Sequence, residues 1–269
     1  FYTDYGVRLQ KQFFAHYLKG ADTLRDWPRV RLQVRHLDGF VERAEDAWPI
    51  ARTRWTKLYL DLGARSLRTA PAQGESRVEY DAGGDGVTFL GEPLREETEI
   101  TGPLAARLFV SSSTTDADVF AILRAFAPDG TEVVFQGAID PHTPLAQGWL
   151  RASHRALDPA LSTEYRPYHA HASQQPLVPG EPVQLDVELW PTSIVLPAGY
   201  RIAFSIRGND YGYPGPSGGR LSNFKNELTG CGPFLHDDSR DRPPEIFGGT
   251  NALHAGLDVA PYVLLPVIP

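Results

Sequence analysis

The clearest pattern in the chain lies between residues 183 and 206, where hydrophobic and polar positions alternate. Val183, Leu185, Val187 and Leu189 take turns with Gln184, Asp186, Glu188 and Trp190, and Tyr200, Ile202, Phe204 and Ile206 with Arg201, Ala203, Ser205 and Arg207. A period of two belongs to a strand with one face on a core and the other in water. The two runs read as long strands folded back on each other, with the Pro-flanked Ile194, Val195 and Leu196 as a corner between them. Such a hairpin does not stand alone in water, so further strands must cover its apolar side.

The alternation recurs along most of the chain. Val30, Leu32 and Val34 predict one strand, and residues 55–61, 77–80, 87–90, 104–113, 118–127, 131–139 and 148–156 predict others, with residues 253–268 as a final strand. Pro128, Asp129 and Gly130 supply a turn between two of these, because Pro fixes φ and Gly accepts positive φ. Residues 40–43 read as loop or edge, 63–95 as a long surface excursion over a sheet edge, and 165–175 as a polar connection between sheets. A helical period is confined to residues 4–20. There Leu9, Phe13 and Tyr17 recur every four residues, Phe14 and Leu18 widen the stripe, Asp4 reads as the N-cap and Gly20 as the C-terminal stop. About ten short strands and one helix predict an all-β fold, an antiparallel jelly-roll β-sandwich.

Composition narrows the function classes. In 269 residues, 42% hydrophobic, there is material for one large or two modest domains. A net charge of -7 and no dense Lys/Arg run argue against nucleic acid as a partner. No run of about 18 apolar residues predicts a membrane span. The single Cys231 excludes an internal disulfide and a Cys-rich metal site. The sequence begins at Phe1 and has no Met, so it is expected to be part of a longer polypeptide or to have lost its N-terminus.

Candidate chemistry is sparse. Gly215-Pro216-Ser217-Gly218-Gly219 matches G-x-S-x-G, but a nucleophile elbow needs an apolar strand before it and a helix after it. Tyr211 to Pro214 lead in and Arg220 to Asn223 lead out, so Ser217 reads as a residue of a Gly/Pro loop. His154, His169, His171, His236 and His254, with Asp210, Asp237, Asp238 and Asp241, supply pieces of a Ser-His-Asp set that only geometry could assemble. His169 and His171 would share a face of a strand, yet no third metal ligand follows them at a recognisable spacing. The acidic groups at Asp81 and Asp85 and at 237–241 lack a calcium-loop pattern. No cofactor and no metal are expected. The 208–249 segment, about 40 residues, far exceeds ordinary connections. Its Asn209, Asp210, Tyr211, Tyr213, Phe224 and Phe234 are candidates for a docking or cleft-wall loop, the aromatic ones anchoring it to the body or a neighbouring domain.

Three longer runs carry a resemblance. Residues 180–192, GEPVQLDVELWPT, continue into 196–206, LPAGYRIAFSI; Ile100-Thr-Gly-Pro-Leu precedes Leu108-Phe-Val-Ser-Ser-Ser and Asp116-Ala-Asp-Val; and 148–155 read GWLRASHR. Together they resemble the C-terminal domain of the X-Pro dipeptidyl-peptidase and cocaine-esterase (CocE/NonD) family of serine hydrolases. The resemblance implies a galactose-binding-like jelly roll that follows an α/β-hydrolase domain carrying Ser, Asp and His. Residues 13–20, FFAHYLKG, resemble the last helix of that hydrolase domain. It therefore implies a hydrolase remnant at 1–28, a jelly roll at 29–269, and all three catalytic residues upstream of Phe1, so no catalytic residue is carried onto this chain and His16 is not the catalytic His.

Three readings follow. In the first, the chain is the non-catalytic C-terminal portion of an esterase or X-Pro dipeptidyl-peptidase, packs on the α/β-hydrolase domain of the same polypeptide, helps wall its active site and mediates homo-oligomerisation. The second is a stand-alone carbohydrate- or peptide-binding sandwich, against which the amphipathic helix counts. A complete small hydrolase using Ser217 is the third.

Overall fold

The computed structural model describes residues 3–137, 140–216, 228–232 and 235–269. Thirteen strands are formed among them: β1 (Val30–His36), β2 (Gly39–Glu45), β3 (Arg54–Asp61), β4 (Ser66–Arg68), β5 (Ser76–Asp81), β6 (Val87–Leu90), β7 (Thr98–Ser112), β8 (Asp118–Phe126), β9 (Ala146–Arg151), β10 (Val183–Leu196), β11 (Arg201–Arg207), β12 (Thr250–Ala255) and β13 (Tyr262–Ile268). Helix α1 (Asp4–Lys19) precedes them, and a single turn, α2 (Pro244–Phe247), lies in the long loop. The fold is the expected all-β jelly-roll sandwich. Its strands follow one curled path, β2-β1-β10-β7-β13-β3-β4-β6-β11-β8-β9, with β12 bridging β5 and β7.

The curl brings the far end of the path back onto its beginning. Trp149 of β9 packs on Trp190 of β10 with ring centroids 5.3 Å apart, and the Thr192 hydroxyl donates to the Leu145 carbonyl at 2.8 Å. Leu185, Val187 and Leu189 of β10 and Ile202, Phe204 and Ile206 of β11 fill the enclosed core with Leu104, Leu108, Leu123 and Leu253. Each deeply buried side chain of this size contributes on the order of 1.5–3 kcal/mol by leaving water.

The two strands of the 183–206 stretch do not pair with each other. β10 pairs with β7 and β1, whereas β11 pairs with β6 and β8. The turn between them therefore crosses from one side of the sandwich to the other. The supposed corner at Ile194, Val195 and Leu196 belongs to β10, displaced by an irregularity between Leu189 and Thr192. Pro191, which has no N–H for a ladder, sits within it. Nor does β11 keep a wet face: Ala203, Ser205 and Arg207 are buried as well as its core residues. Arg124, Glu132 and Tyr211 cover that side, with Arg124 Nη1 donating to Ser205 Oγ at 3.3 Å.

Other expectations also change. Residues 63–95 are no surface excursion, since they supply β4, β5 and β6 and bury Leu67, Val78, Tyr80, Val87 and Phe89. Residues 40–43, read as loop or edge, are in fact edge, as part of strand β2 at the end of the path. Within 131–137 only isolated bridges form, at Glu132 and Phe135, and Ala138 and Ile139 lie outside the described residues. The chain closes with two strands, β12 and β13, instead of one. β9 stops at Arg151 and passes into a 3₁₀ turn, Ala152–His154.

In α1 the N-cap is Thr3, whose hydroxyl accepts from Gly6 N, and not Asp4. Gly20 ends the helix in the left-handed region at φ 65°. No residue of α1 is buried. No described helix is long and apolar enough to cross a membrane.

Candidate functional site

β11 delivers the chain into the 208–249 loop, and the first residues of that loop are tied back to the sandwich one by one. Asn209 Oδ1 accepts from Arg207 Nε at 3.1 Å and Nη2 at 2.8 Å, while its amide donates to the Gly83 carbonyl at 3.1 Å. Tyr211, 2% exposed, donates its hydroxyl to Glu132 Oε1 at 2.8 Å. Burial and then the Glu132 charge push that phenol well above its ordinary pKa. The Tyr213 ring stacks on His142 at 4.4 Å. Phe224, Phe234 and Ser217 lie outside the described residues.

A second anchor is one the sequence reading missed. Buried Asp140 accepts from the backbone of His142, Gly230 and Gly232, each at 2.8 Å, so one carboxylate fixes a part of the loop 90 residues away. No motif signals such an arrangement, because its partners are backbone amides. Between Gly230 and Gly232 stands Cys231, whose thiol burial pushes up to about 11. At neutral pH it is a thiol and not a nucleophile.

Asp210 and His236 converge from opposite ends of the loop. Asp210 Oδ2 accepts from His236 N at 2.6 Å, and the His236 Nδ1 stands 2.9 Å from Oδ1. That bond, ahead of other causes, raises the His236 pKa above its ordinary value. The imidazole lies against Phe120 at 5.3 Å and Trp149 at 5.2 Å. Behind it, Arg151 pairs with Asp118 at 2.9 Å and with Asp241 at 3.0 Å, and Arg242 joins Asp118 at 2.9 Å. Arg242 also donates to the carbonyls of His236 at 2.7 Å and Gly208 at 2.6 Å. These bonds fasten both ends of the loop to β8 and β9.

Here an open groove of about 430 Å³ lies over β8 and β9, lined by Phe120, Trp149, Arg151 and His236 together with His154, His169 and His171. Asp210 and His236 have the arrangement of a base and the carboxylate that orients it. A nucleophile is missing, since none of the described residues lining the groove is Ser, Thr or Cys. Beside the groove, Trp149 and Trp190 are 38% and 52% exposed. The arrangement can hold a planar or apolar group against two indoles, but it cannot carry out acyl transfer with these side chains alone.

Comparison with known proteins agrees. The chain is 30% identical over 263 residues to a Mycobacterium bovis protein that carries a serine esterase name, covering 83% of the chain and 37% of that protein. It is 25% identical over 301 residues to the cocaine esterase of a Rhodococcus species, covering 97% of the chain and 45% of that enzyme. The chain thus spans less than half of either relative. A CocE/NonD family hydrolase from Staphylococcus aureus has the same fold, with a TM-score of 0.82 at 24% identity over 100% of this chain and 46% of that one. Residues 23–240 match the family described as the X-Pro dipeptidyl-peptidase C-terminal non-catalytic domain. The chain belongs to this family of non-catalytic C-terminal domains of X-Pro dipeptidyl-peptidase and cocaine-esterase type hydrolases.

Proposed function

We propose that this chain is the C-terminal portion of a serine hydrolase acting on esters or amides, that it packs on an α/β-hydrolase domain of the same polypeptide, and that it helps wall the active-site cleft. One observation carries the reading: α1 buries none of its residues against the sandwich, and leaves Phe13, Phe14, Tyr17 and Leu18 from 43% to 75% exposed along one side. A helix with such a stripe needs a second apolar surface, and an adjoining hydrolase domain supplies one. Residues 1–28 then belong to that domain and 29–269 form the sandwich. The nucleophile, its base and the oxyanion donors come from the hydrolase domain, through an acyl-enzyme. The 208–249 loop is the candidate cleft wall, in which the bonds of Asn209, Asp210, Tyr211 and Tyr213 serve to hold its shape.

The test uses the longer polypeptide and the isolated chain side by side. The isolated chain should hydrolyse a p-nitrophenyl ester no faster than its Ser217→Ala variant. Phe14→Glu with Leu18→Glu in the longer protein should loosen the domains towards limited proteolysis and lower kcat/KM. Hydrolysis by the isolated chain that Ser217→Ala abolishes would overturn the reading, as would domain contacts indifferent to the helix substitutions.

The exposed Trp149 and Trp190 beside the groove favour a second reading, a carbohydrate- or peptide-binding sandwich, since indole faces stack on sugar rings and prolines. Calorimetric binding of a glycan or prolyl peptide that Trp149→Ala removes would support it.

A further inference from the structure

One face of the hairpin formed by β1 and β2 is only partly covered. The register sets Arg31 opposite Ala44, Gln33 opposite Glu42 and Arg35 opposite Phe40, so these side chains share that face. Its middle is taken by α1. The Tyr5 hydroxyl donates to the Glu42 carboxylate, and Gln33 Nε2 donates to Tyr5 Oη at 3.2 Å and to Glu42 Oε2 at 3.1 Å. Arg31 closes one end, pairing with Glu42 at 3.0 Å and lying over the Trp27 ring at 5.3 Å. At the other end stand Arg35 and Phe40, and Phe40 is 63% exposed.

Arg35 is half-buried, yet it meets no carboxylate among the described residues. Its Nε donates to the Ser193 carbonyl at 3.2 Å and its Nη2 to Thr192 Oγ1 at 2.9 Å, both neutral, and the guanidinium lies 4.3 Å from the Phe135 ring centroid. Nη1 engages none of the described residues. The half-buried Arg43, Arg107, Arg124, Arg151 and Arg242, by contrast, each pair with a carboxylate. Arg155 and Arg201 also bond only to carbonyls, but neither lies over a described aromatic ring. A cation withdrawn from water without a counter-charge costs stability, and burial lowers the Arg35 pKa for the same reason.

We propose, on the reading that α1 belongs with an adjoining hydrolase domain, that Arg35 and Phe40 are a docking point for that domain. An Asp or Glu of the hydrolase domain pairs with the guanidinium, and an apolar side chain next to it covers the Phe40 ring. Tyr5 marks where α1 already touches the hairpin through Gln33. Arg35 follows two residues later, about 7 Å along β1, so a body continuous with α1 reaches it next. The donors left over fit a carboxylate. With Nε and one hydrogen of Nη2 engaged, Nη1 and the second hydrogen of Nη2 remain, and a carboxylate accepts from these side by side.

The experiment sets variants of the longer polypeptide beside the same variants of this chain. In the longer polypeptide Arg35→Met should speed limited proteolysis between the domains about tenfold or more, and Arg35→Glu should speed it further, because like charges then meet. In this chain alone Arg35→Met should keep or raise the urea midpoint, since it removes a half-buried cation that has no counter-charge. Phe40→Ser alters an exposed side chain and stays informative if an Arg35 variant misfolds. It should speed the same proteolysis and leave the midpoint of this chain unchanged. Proteolysis indifferent to Arg35→Met and Phe40→Ser overturns the proposal, as does Arg35→Glu no worse than Arg35→Met. Self-association of this chain that Arg35→Glu abolishes also overturns it, by seating a second copy on the face. If Phe14→Glu with Leu18→Glu loosens the domains while the Arg35 and Phe40 variants do not, this docking point falls and the hydrolase reading stands; if neither set does, both fall.

Discussion

Gly148 of β9 runs so close to β10 that a Cβ on it would overlap the Glu188 carbonyl oxygen and stand 2.9 Å from the Leu189 Cα. This backbone approach is where the curled sheet meets itself, and it has no room for a methyl group. Gly148→Ala should destabilise the chain by about 1–3 kcal/mol, the cost of overpacking, seen as a lower urea midpoint. An unchanged midpoint would show that the two strands can part freely.

Glu132 holds two groups at once, Arg124 at 2.6 Å and the Tyr211 hydroxyl at 2.8 Å, with the Arg124 and Glu132 side chains only 13% and 5% exposed. Removing the carboxylate leaves a buried guanidinium without its partner. Glu132→Ala is expected to cost about 3–5 kcal/mol. Tyr211→Phe, which removes a single hydrogen bond, should cost about 1 kcal/mol. Equal costs for both variants in denaturant unfolding would refute this division.

The Asp210 and His236 contact carries a pH dependence with a definite sign. The folded imidazole holds its proton more tightly than the unfolded one, because the Asp210 carboxylate accepts from it. Its stabilisation is complete below about pH 6.5 and is lost as the pH rises through the higher folded value. An NMR titration of His236 should therefore give a midpoint above about 6.5, and Asp210→Asn should move it down. A midpoint that ignores the substitution would mean that the carboxylate does not set it.

Asp140 concentrates three backbone bonds in one carboxylate. Asp140→Ala should speed amide hydrogen exchange at Gly230 and Gly232 while leaving that of β7 and β10 unchanged. Protection that survives the substitution would place the anchor elsewhere.

Helix α1 contributes little to the sandwich, so Phe14→Glu with Leu18→Glu should shift the unfolding free energy of this chain by no more than about 0.5 kcal/mol. A larger loss would mean that the stripe is covered within the chain.

These relationships were legible in the sequence to unequal degrees. Alternation at Val183 to Leu189 announced a strand with a buried face, and the structure has it; a period of two reports which side chains face inward, not which neighbour accepts the hydrogen bonds. The turn after Leu196 could close a hairpin or cross the sandwich, and only the competition among all the strands decides between them. Residues 63–95 were misread because Gly and charged residues dominate their composition, while single inward positions such as Leu67 and Phe89 carry the packing. In the candidate site, Asp210 and Tyr211 stood out by residue type. Asp140 did not, since a carboxylate that caps backbone amides leaves no pattern, and the placing of His154, His169 and His171 along one groove depends on two turns that propensity does not fix.

β13 occupies the middle of the path, between β7 and β3, although its residues follow all the other strands in the sequence. During synthesis the two halves of the curled sheet therefore wait on either side of a gap that residues 262–268 alone can fill. Without them β3 has an unpaired edge along residues 54–59, and β7 has one along 99–107, where β12 does not reach. The order of the amino acids thus leaves the joining of the two halves to a strand that comes after all the strands it joins.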